Sequence, residues 1–208
     1  MYIPSHFLWQ NEAEIWDFMQ KNSFATLVSS GENGHISATH LPFILEKRDG
    51  KTFLLSHFAK ENPQNADLTK GELLVIFQAP HAYISPMWYE KTQNVPTWNY
   101  VAVHAYGKIK LIESAENQLL LLEKMIHTFD KSYEAERWKS LSPTYINGLL
   151  RGITAFEIEV THIEATEKLN QNKTETDRKG VINALQNSDD ANERNMAERM
   201  KEKMRNEK

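Results

Sequence analysis

Residues 77–107, FQAPHAYISPMWYEKTQNVPTWNYVAVHAYG, decide how this chain is read. Two tryptophans, four tyrosines, two histidines and three prolines fall within this one segment. Such side chains carry a large apolar body and a polar tip that needs a partner when buried. The segment therefore suits the wall of a pocket for a flat aromatic ligand, or else it knits two sheets together. Residues 73–79 (LLVIFQA) read as a buried strand. AYISPMWY continues as a further extended stretch, and KTQN leads into a long strand, TWNYVAVHAYGKIKLI, bent at Gly107. Val95-Pro96 fixes an extended lead-in, with the isomer of Pro96 left open.

Working outward toward the N-terminus, Ile15, Phe18 and Met19 recur at helical spacing in residues 12–21, and Asn11 is placed to cap them. FATLVSS reads as a first strand, GENG (residues 31–34) as a turn, and residues 36–46 as a second strand. Asp49-Gly50 signals a hairpin into a third strand at residues 51–58, and Asn62-Pro63 opens one or two helical turns. Toward the C-terminus, Leu119, Leu122, Met125, Ile126 and Phe129 form an apolar helical stripe capped by Ser114. Ser142-Pro143 supplies a cap and first-turn proline before YINGLL, with Gly152 at its end. Phe156, Ile158 and Val160 alternate as a strand. Beyond Lys168 the chain turns polar; Val181, Ile182 and Leu185 dock one more helix. Residues 192–208 carry six basic and four acidic groups, with Met196, Met200 and Met204 four apart: a marginal charged helix or a frayed tail. Some seven strands with hairpin-length turns predict an antiparallel, all-β-dominated barrel with peripheral α-helices. The expected division is residues 1–170 for the barrel with inserted helices and 171–208 for a charged helical extension.

Composition narrows the function classes. Hydrophobic residues make up 40% and charged residues 25%, as in soluble globular proteins. No apolar run is long enough to span a membrane. The opening MYIPSHFLWQNEAEIW lacks the order of a secretory signal, so the expectation is a cytoplasmic protein. With no cysteine, thiolate chemistry and cysteine-ligated metals are excluded. A net charge of −4 offers no general attraction to DNA, and the glutamates of the tail argue against a basic DNA-contacting arm. Eight histidines form no close ligand pair, so no metal site is expected.

Several motifs together resemble the PaiB family of FMN-binding negative transcriptional regulators. They are MYIPSHF, ATHLPF (38–43), HFAKENP (57–63), PHAYISPMWY (80–89), VPTWNYVAVHAYG (95–107) and EKLNQNKTETDRKGVI (167–182). The resemblance spans nearly the whole chain in the right order. It implies an FMN-binding split β-barrel, antiparallel and Greek-key-like, similar to pyridoxamine-phosphate oxidases. It also implies a homodimer with FMN in the cleft between subunits, and repression of protease production and sporulation genes. Two positions depart from the family pattern: Ala79 stands where glycine is common, and Asn65 where tryptophan often follows Asn-Pro-Gln.

FMN needs a phosphate clamp, donors to its ring heteroatoms and flat contacts to its ring. Lys60, just past a strand end, is a candidate for the phosphate or an exposed loop lysine. Thr39 and His40 are neighbours on a strand and face opposite sides, so only one lines a given pocket. Ser56 and His57 close the third strand with short donors. His81 and Tyr83 share a face if extended; Trp88 suits stacking or a dimer seam. Thr97 is a donor to a phosphate or ring carbonyl, and Trp98 a cover for the ring edge, with core packing as the alternative for both tryptophans. Trp98, Tyr100, His104 and Tyr106 form one stripe of polar-tipped aromatics. Lys168, Gln171 and Asn172 are candidates for the flavin's pyrimidine edge or a plain surface turn.

No residue stands out as a necessary acid or base, so no catalytic residue is named. Two alternatives to a regulator stand: a flavin-dependent oxidoreductase using NAD(P)H and a small acceptor, and a heme-binding or cofactor-free split-barrel interaction protein. One fold serves all of these.

Overall fold

The computed structural model describes residues 1–31 and 34–207; Glu32 and Asn33 of the expected GENG turn, and Lys208, lie outside the described residues. Seven strands form: β1 (Phe24–Ser30), β2 (Ile36–Pro42), β3 (Ile44–Arg48), β4 (Lys51–Ala59), β5 (Leu73–Ile84), β6 (Thr97–Ile112) and β7 (Ile153–Lys168). Their order in one sheet is β2-β1-β5-β6-β7-β4-β3. β1 pairs antiparallel with β2 (Leu27 opposite Thr39) and β5 (Leu27 opposite Val75), and β4 with β3 (Leu54 opposite Leu45) and β7 (Ser56 opposite Phe156). Asp49 and Gly50 take φ of 50° and 76°, the two left-handed residues that a tight hairpin demands.

Two strand expectations are corrected. Residues 36–46 are not one strand: Phe43 turns inward, 1% exposed, its N–H on the Ser23 carbonyl, and separates β2 from β3. Burial of one large ring outweighs continuity of the ladder there. Conversely, residues 73–84 form a single strand, β5, that runs through a cis Ala79–Pro80 bond; Pro96 is not the cis proline.

The helices are α1 (Glu12–Lys21), α2 (Ala115–Phe129), α3 (Lys131–Glu136), α4 (Pro143–Arg151), α5 (Glu175–Gln186) and α6 (Ala191–Asn206). Their starts follow the caps read from sequence: Asn11 accepts from Ala13 and Glu14 N–H, Ser114 from Asn117, Ser142 from Tyr145. Gly152 ends α4, donating to the Leu149 carbonyl. The buried face of α2 is Leu121 and Met125, with Phe129 exposed, so the expected stripe is rotated. α3 was not anticipated; six residues are too few to show a period, and Trp138 just beyond it is the buried anchor.

The chain divides into two compact units: Met1–Trp16 with Gln78–Val103 and Glu164–Lys208, and Asp17–Phe77 with His104–Ile163. In the second unit, Phe43 lies 6.1 Å from Phe77 and 6.4 Å from Phe156, and Phe58 lies 5.3 Å from Phe156. Each such buried ring contributes on the order of 1.5–3 kcal/mol. A second cluster of Leu55, Leu121, Met125 and Ala155 seats α2 on β4 and β7. In the first unit, α5 packs on α6, and Val181, Leu185, Met196, Ala197 and Met200 are fully buried. α6 is thus no frayed tail: Met196 and Met200 are core, and Met204 is half-buried.

Candidate functional site

In the first unit, the start of β6 and the end of β7 place Thr97 and Lys168 together. The Lys168 ammonium donates to Thr97 Oγ1 at 2.6 Å and lies 5.9 Å from the Phe7 ring. Among the described residues it has no carboxylate partner. Burial holds its pKa below that of an ordinary lysine. Lys168 spends one of three N–H groups on Thr97 Oγ1, which leaves the Thr97 hydroxyl proton free to donate onward. The pair is therefore a cation and a hydroxyl donor side by side, a donor set that fits an anionic oxygen.

The adjacent Glu167 is opposite in character. It is 1% exposed, and its carboxylate accepts from Arg199 Nε at 2.7 Å and Lys203 Nζ at 2.9 Å, both on α6. Arg199 also lies 5.0 Å from the Trp9 ring, and Trp9 N–H donates to the Ala165 carbonyl.

Three aromatic candidates meet at the exposed side of this unit. Trp98, 54% exposed, is 5.9 Å from Tyr83 at 73° and 6.1 Å from His81 at 40°. A flat, partly exposed indole face is free for stacking. The Asn192 side chain on α6 accepts from His81 N–H and donates to its carbonyl. Trp88 sits in a 3-10 turn, Pro86–Trp88, whose final carbonyl lies where a Cβ on Gly180 would be; only glycine lets α5 approach so closely. Gln171 uses both ends of its carboxamide on the backbone of its own turn, accepting from Leu169 and donating to Glu167. Asn172 is exposed. Asn170, with φ 62°, is buried and donates to the Tyr89 hydroxyl at 2.9 Å.

The second unit holds the remaining candidates. Thr39 donates to Gln64 Oε1 at 2.6 Å and accepts from Asn62. Gln64, 2% exposed, in turn reaches Ser29 Oγ and the Leu27 and Ser37 carbonyls, and so ties β1 and β2 to the 3-10 turn Pro63–Asp67. His40 faces away, hydrogen-bonded to Thr26 at 3.0 Å, as neighbours on a strand require. Ser56 is fully buried and donates to the Pro42 carbonyl at 2.7 Å. His57 Nδ1 lies 3.3 Å from Met125 Sδ, and burial lowers its pKa. Lys60 is exposed, and its backbone N–H is bound to the Gly152 carbonyl. His104 and Tyr106 lie 6.5 Å apart, with Tyr106 stacked on His162 at 5.8 Å. Even-numbered β6 residues from Trp98 to Tyr106 stay partly open except Ala102, while Asn99, Val101, Val103 and Ala105 are buried.

Sequence reading passed over Gln64, Glu167, Asn170, Arg199 and Lys203. For Arg199 and Lys203 a signal existed: their spacing of four beside Met196 and Met200 puts them at the margin of one helix face. Among the described residues no group of three or more His, Cys, Asp or Glu could hold a metal ion, and no helix is long and apolar enough to cross a membrane.

Comparison with known proteins bears on this arrangement. Residues 1–162 match the family model described as "Putative FMN-binding domain". The chain is 45% identical over 214 residues to "Protease synthase and sporulation protein PAI 2" of Bacillus subtilis (strain 168), covering 99% of both chains. An uncharacterized protein of Emericella nidulans is 31% identical over 190 residues, covering 73% of this chain and 76% of that one. The fold is similar to that of the flavocytochrome Anf3 from Azotobacter vinelandii, with a TM-score of 0.62 at 12% identity over 85% of this chain and 77% of that one. A seven-stranded sheet with peripheral helices, a family match over most of the chain and a near-full-length relative agree: this chain belongs to the PaiB family of FMN-binding split-barrel proteins.

Proposed function

We infer that this protein is an FMN-binding negative transcriptional regulator of the PaiB kind, acting on protease production and sporulation. The observation that carries the reading is the 45% identity to PAI 2 along 99% of both chains.

The donor chemistry of the first unit fits FMN. Lys168 and Thr97 would hold its phosphate, where an ammonium with no carboxylate partner among the described residues and a spare hydroxyl proton meet a dianion. Trp98, with His81 and Tyr83 against it, offers a flat surface to the ring. Asn172 and, in the second unit, Lys60 and His40 are exposed, Trp88 and His104 are partly exposed, and all five remain candidates. Thr39, Ser56, His57 and Gln171 already have protein partners, so each contributes by fixing the backbone that carries its neighbours. Bound FMN supplies a planar redox-active ring; the chain binds and orients it.

The functional form is a homodimer. Exposed Trp98, Tyr83, Met87 and Val95 on the first unit support a second copy covering that side. A cytoplasmic location accords with a role in transcription. The barrel of residues 1–170 is the cofactor-binding part, and residues 171–208 extend it. Direct DNA contact through α6 is not part of this reading, because its Arg199, Lys201 and Lys203 are paired with glutamates. Deleting the gene should raise transcripts of extracellular protease and sporulation genes, measured by quantitative RNA sequencing, and a plasmid copy should restore them. Unchanged transcripts would remove the regulatory role.

A further inference from the structure

We propose that Asn192, on α6, is a positioning residue for the flavin ring: it fixes the backbone of His81, and through the His81 ring the indole face that Trp98 presents. The inference rests on the reading that Trp98 is the surface offered to the ring.

The N–H and C=O of one strand residue point to the same side, where a neighbouring strand ordinarily meets both. β1 pairs with β5 at Leu74–Ile76, and His81 lies further along β5. There a side chain takes the part of a strand. The Asn192 carboxamide accepts from His81 N–H at 3.3 Å and donates to the His81 carbonyl at 2.5 Å. An amide side chain suits this task because it carries a donor and an acceptor side by side, as a peptide group does. Asn192 is itself held. Its N–H donates to the Asp190 carboxylate that caps α6, and Met196 and Met200 seat the helix in the core.

His81 and Tyr83 are two apart on β5 and so share a face. Both their rings meet Trp98, at 6.1 Å and 5.9 Å. Trp98 is 54% exposed and Tyr83 42%, so burial alone does not fix this trio. A ring that is ordered before binding loses less freedom when a ligand stacks on it. The contacts run unbroken from the Asn192 carboxamide to the His81 backbone, and from the His81 ring to the indole.

The test is a double-mutant cycle read as FMN and riboflavin affinity, by quenching of flavin fluorescence. Wild type, W98A, N192A and W98A/N192A are compared. W98A should weaken both flavins about tenfold, the loss of one stacking partner. N192A should weaken both by the same factor, about threefold, because the ring and not the phosphate is affected. W98A/N192A should bind within roughly twofold of W98A, since Asn192 has no indole left to position. A merely structural role, in which N192A loosens α6 as a whole, predicts the full further loss on the W98A background. Should N192A fail to fold, N192D replaces it in the cycle with the same expected coupling, because it keeps the acceptor for His81 N–H and gives up the donor. Weakened W98A with unchanged N192A, or a full further loss in the double variant, would overturn the role of Asn192 and keep the stacking surface. Unchanged W98A would overturn both.

Discussion

His57 shows how a residue's surroundings, and not its type alone, set its titration. By type it is a donor at a strand end. In the fold its ring lies against Met125 beneath α2, beside Leu55, Leu121 and Ala155. Burial lowers its pKa, so the folded state favours the neutral ring while the unfolded chain titrates near the ordinary value of about 6.5. The unfolded state therefore binds the proton first as pH falls. Stability from the neutral, packed ring is complete above that value and declines below it, levelling off only beneath the lowered folded pKa. Wild type should lose melting temperature between pH 8 and pH 5 by more than His57→Leu does, in thermal melts followed by circular dichroism. Parallel pH profiles of the two proteins would show that His57 is solvated rather than packed. Lys168 is the converse case: among the described residues it has no carboxylate partner, a fact no residue type reveals.

At the scale of elements, Gly107 is a position where the backbone itself sets the tolerance. A Cβ there would lie 2.5 Å from the Glu159 carbonyl oxygen and 2.6 Å from Ile158 Cγ2, so β6 and β7 must part to admit it. Gly107→Ala should cost about 1–3 kcal/mol, the range for forced overpacking, read as a lowered urea midpoint with unchanged slope. A midpoint equal to wild type would mean that the two strands are more loosely joined than drawn. The elements that sequence predicts well are those with local chemistry. Asp49-Gly50 turned as expected, Asn11, Ser114 and Ser142 capped their helices, and Val181, Ile182 and Leu185 docked α5. The elements that it misread depend on distant partners. Phe43 breaks a strand because a core waits for its ring. α6 looked solvated because its charges were counted and its pairing with Glu167, 32 residues away from Arg199, was not. The candidate site follows the same rule. Lys168 and Thr97 were each named from sequence, yet their contact spans 71 residues and no spacing announces it. Gln64 was invisible because a polar residue in a polar turn gives no sign of becoming a buried hub.

For the whole molecule, the family agrees with the donor chemistry on one cofactor. The chain matches an FMN-binding family over residues 1–162 and a sporulation protein over nearly its full length. It also carries, in one unit, a lysine with no carboxylate partner among the described residues, a spare threonine proton and a partly exposed tryptophan face. α6 lies beyond the matched family region, yet it supplies the counter-charges to Glu167 and part of the core beneath it. The extension is thus built into the unit that carries the donor pair, and removing it would change that unit's charge as well as its packing. The most direct measurement is the visible absorption spectrum of the purified, folded protein after incubation with FMN and desalting. Flavin bands should persist in the protein fraction, red-shifted or resolved into shoulders relative to free FMN, and should be weaker in K168M. A folded protein that emerges colourless after excess FMN would contradict the assignment of this chain as a flavin-binding regulator.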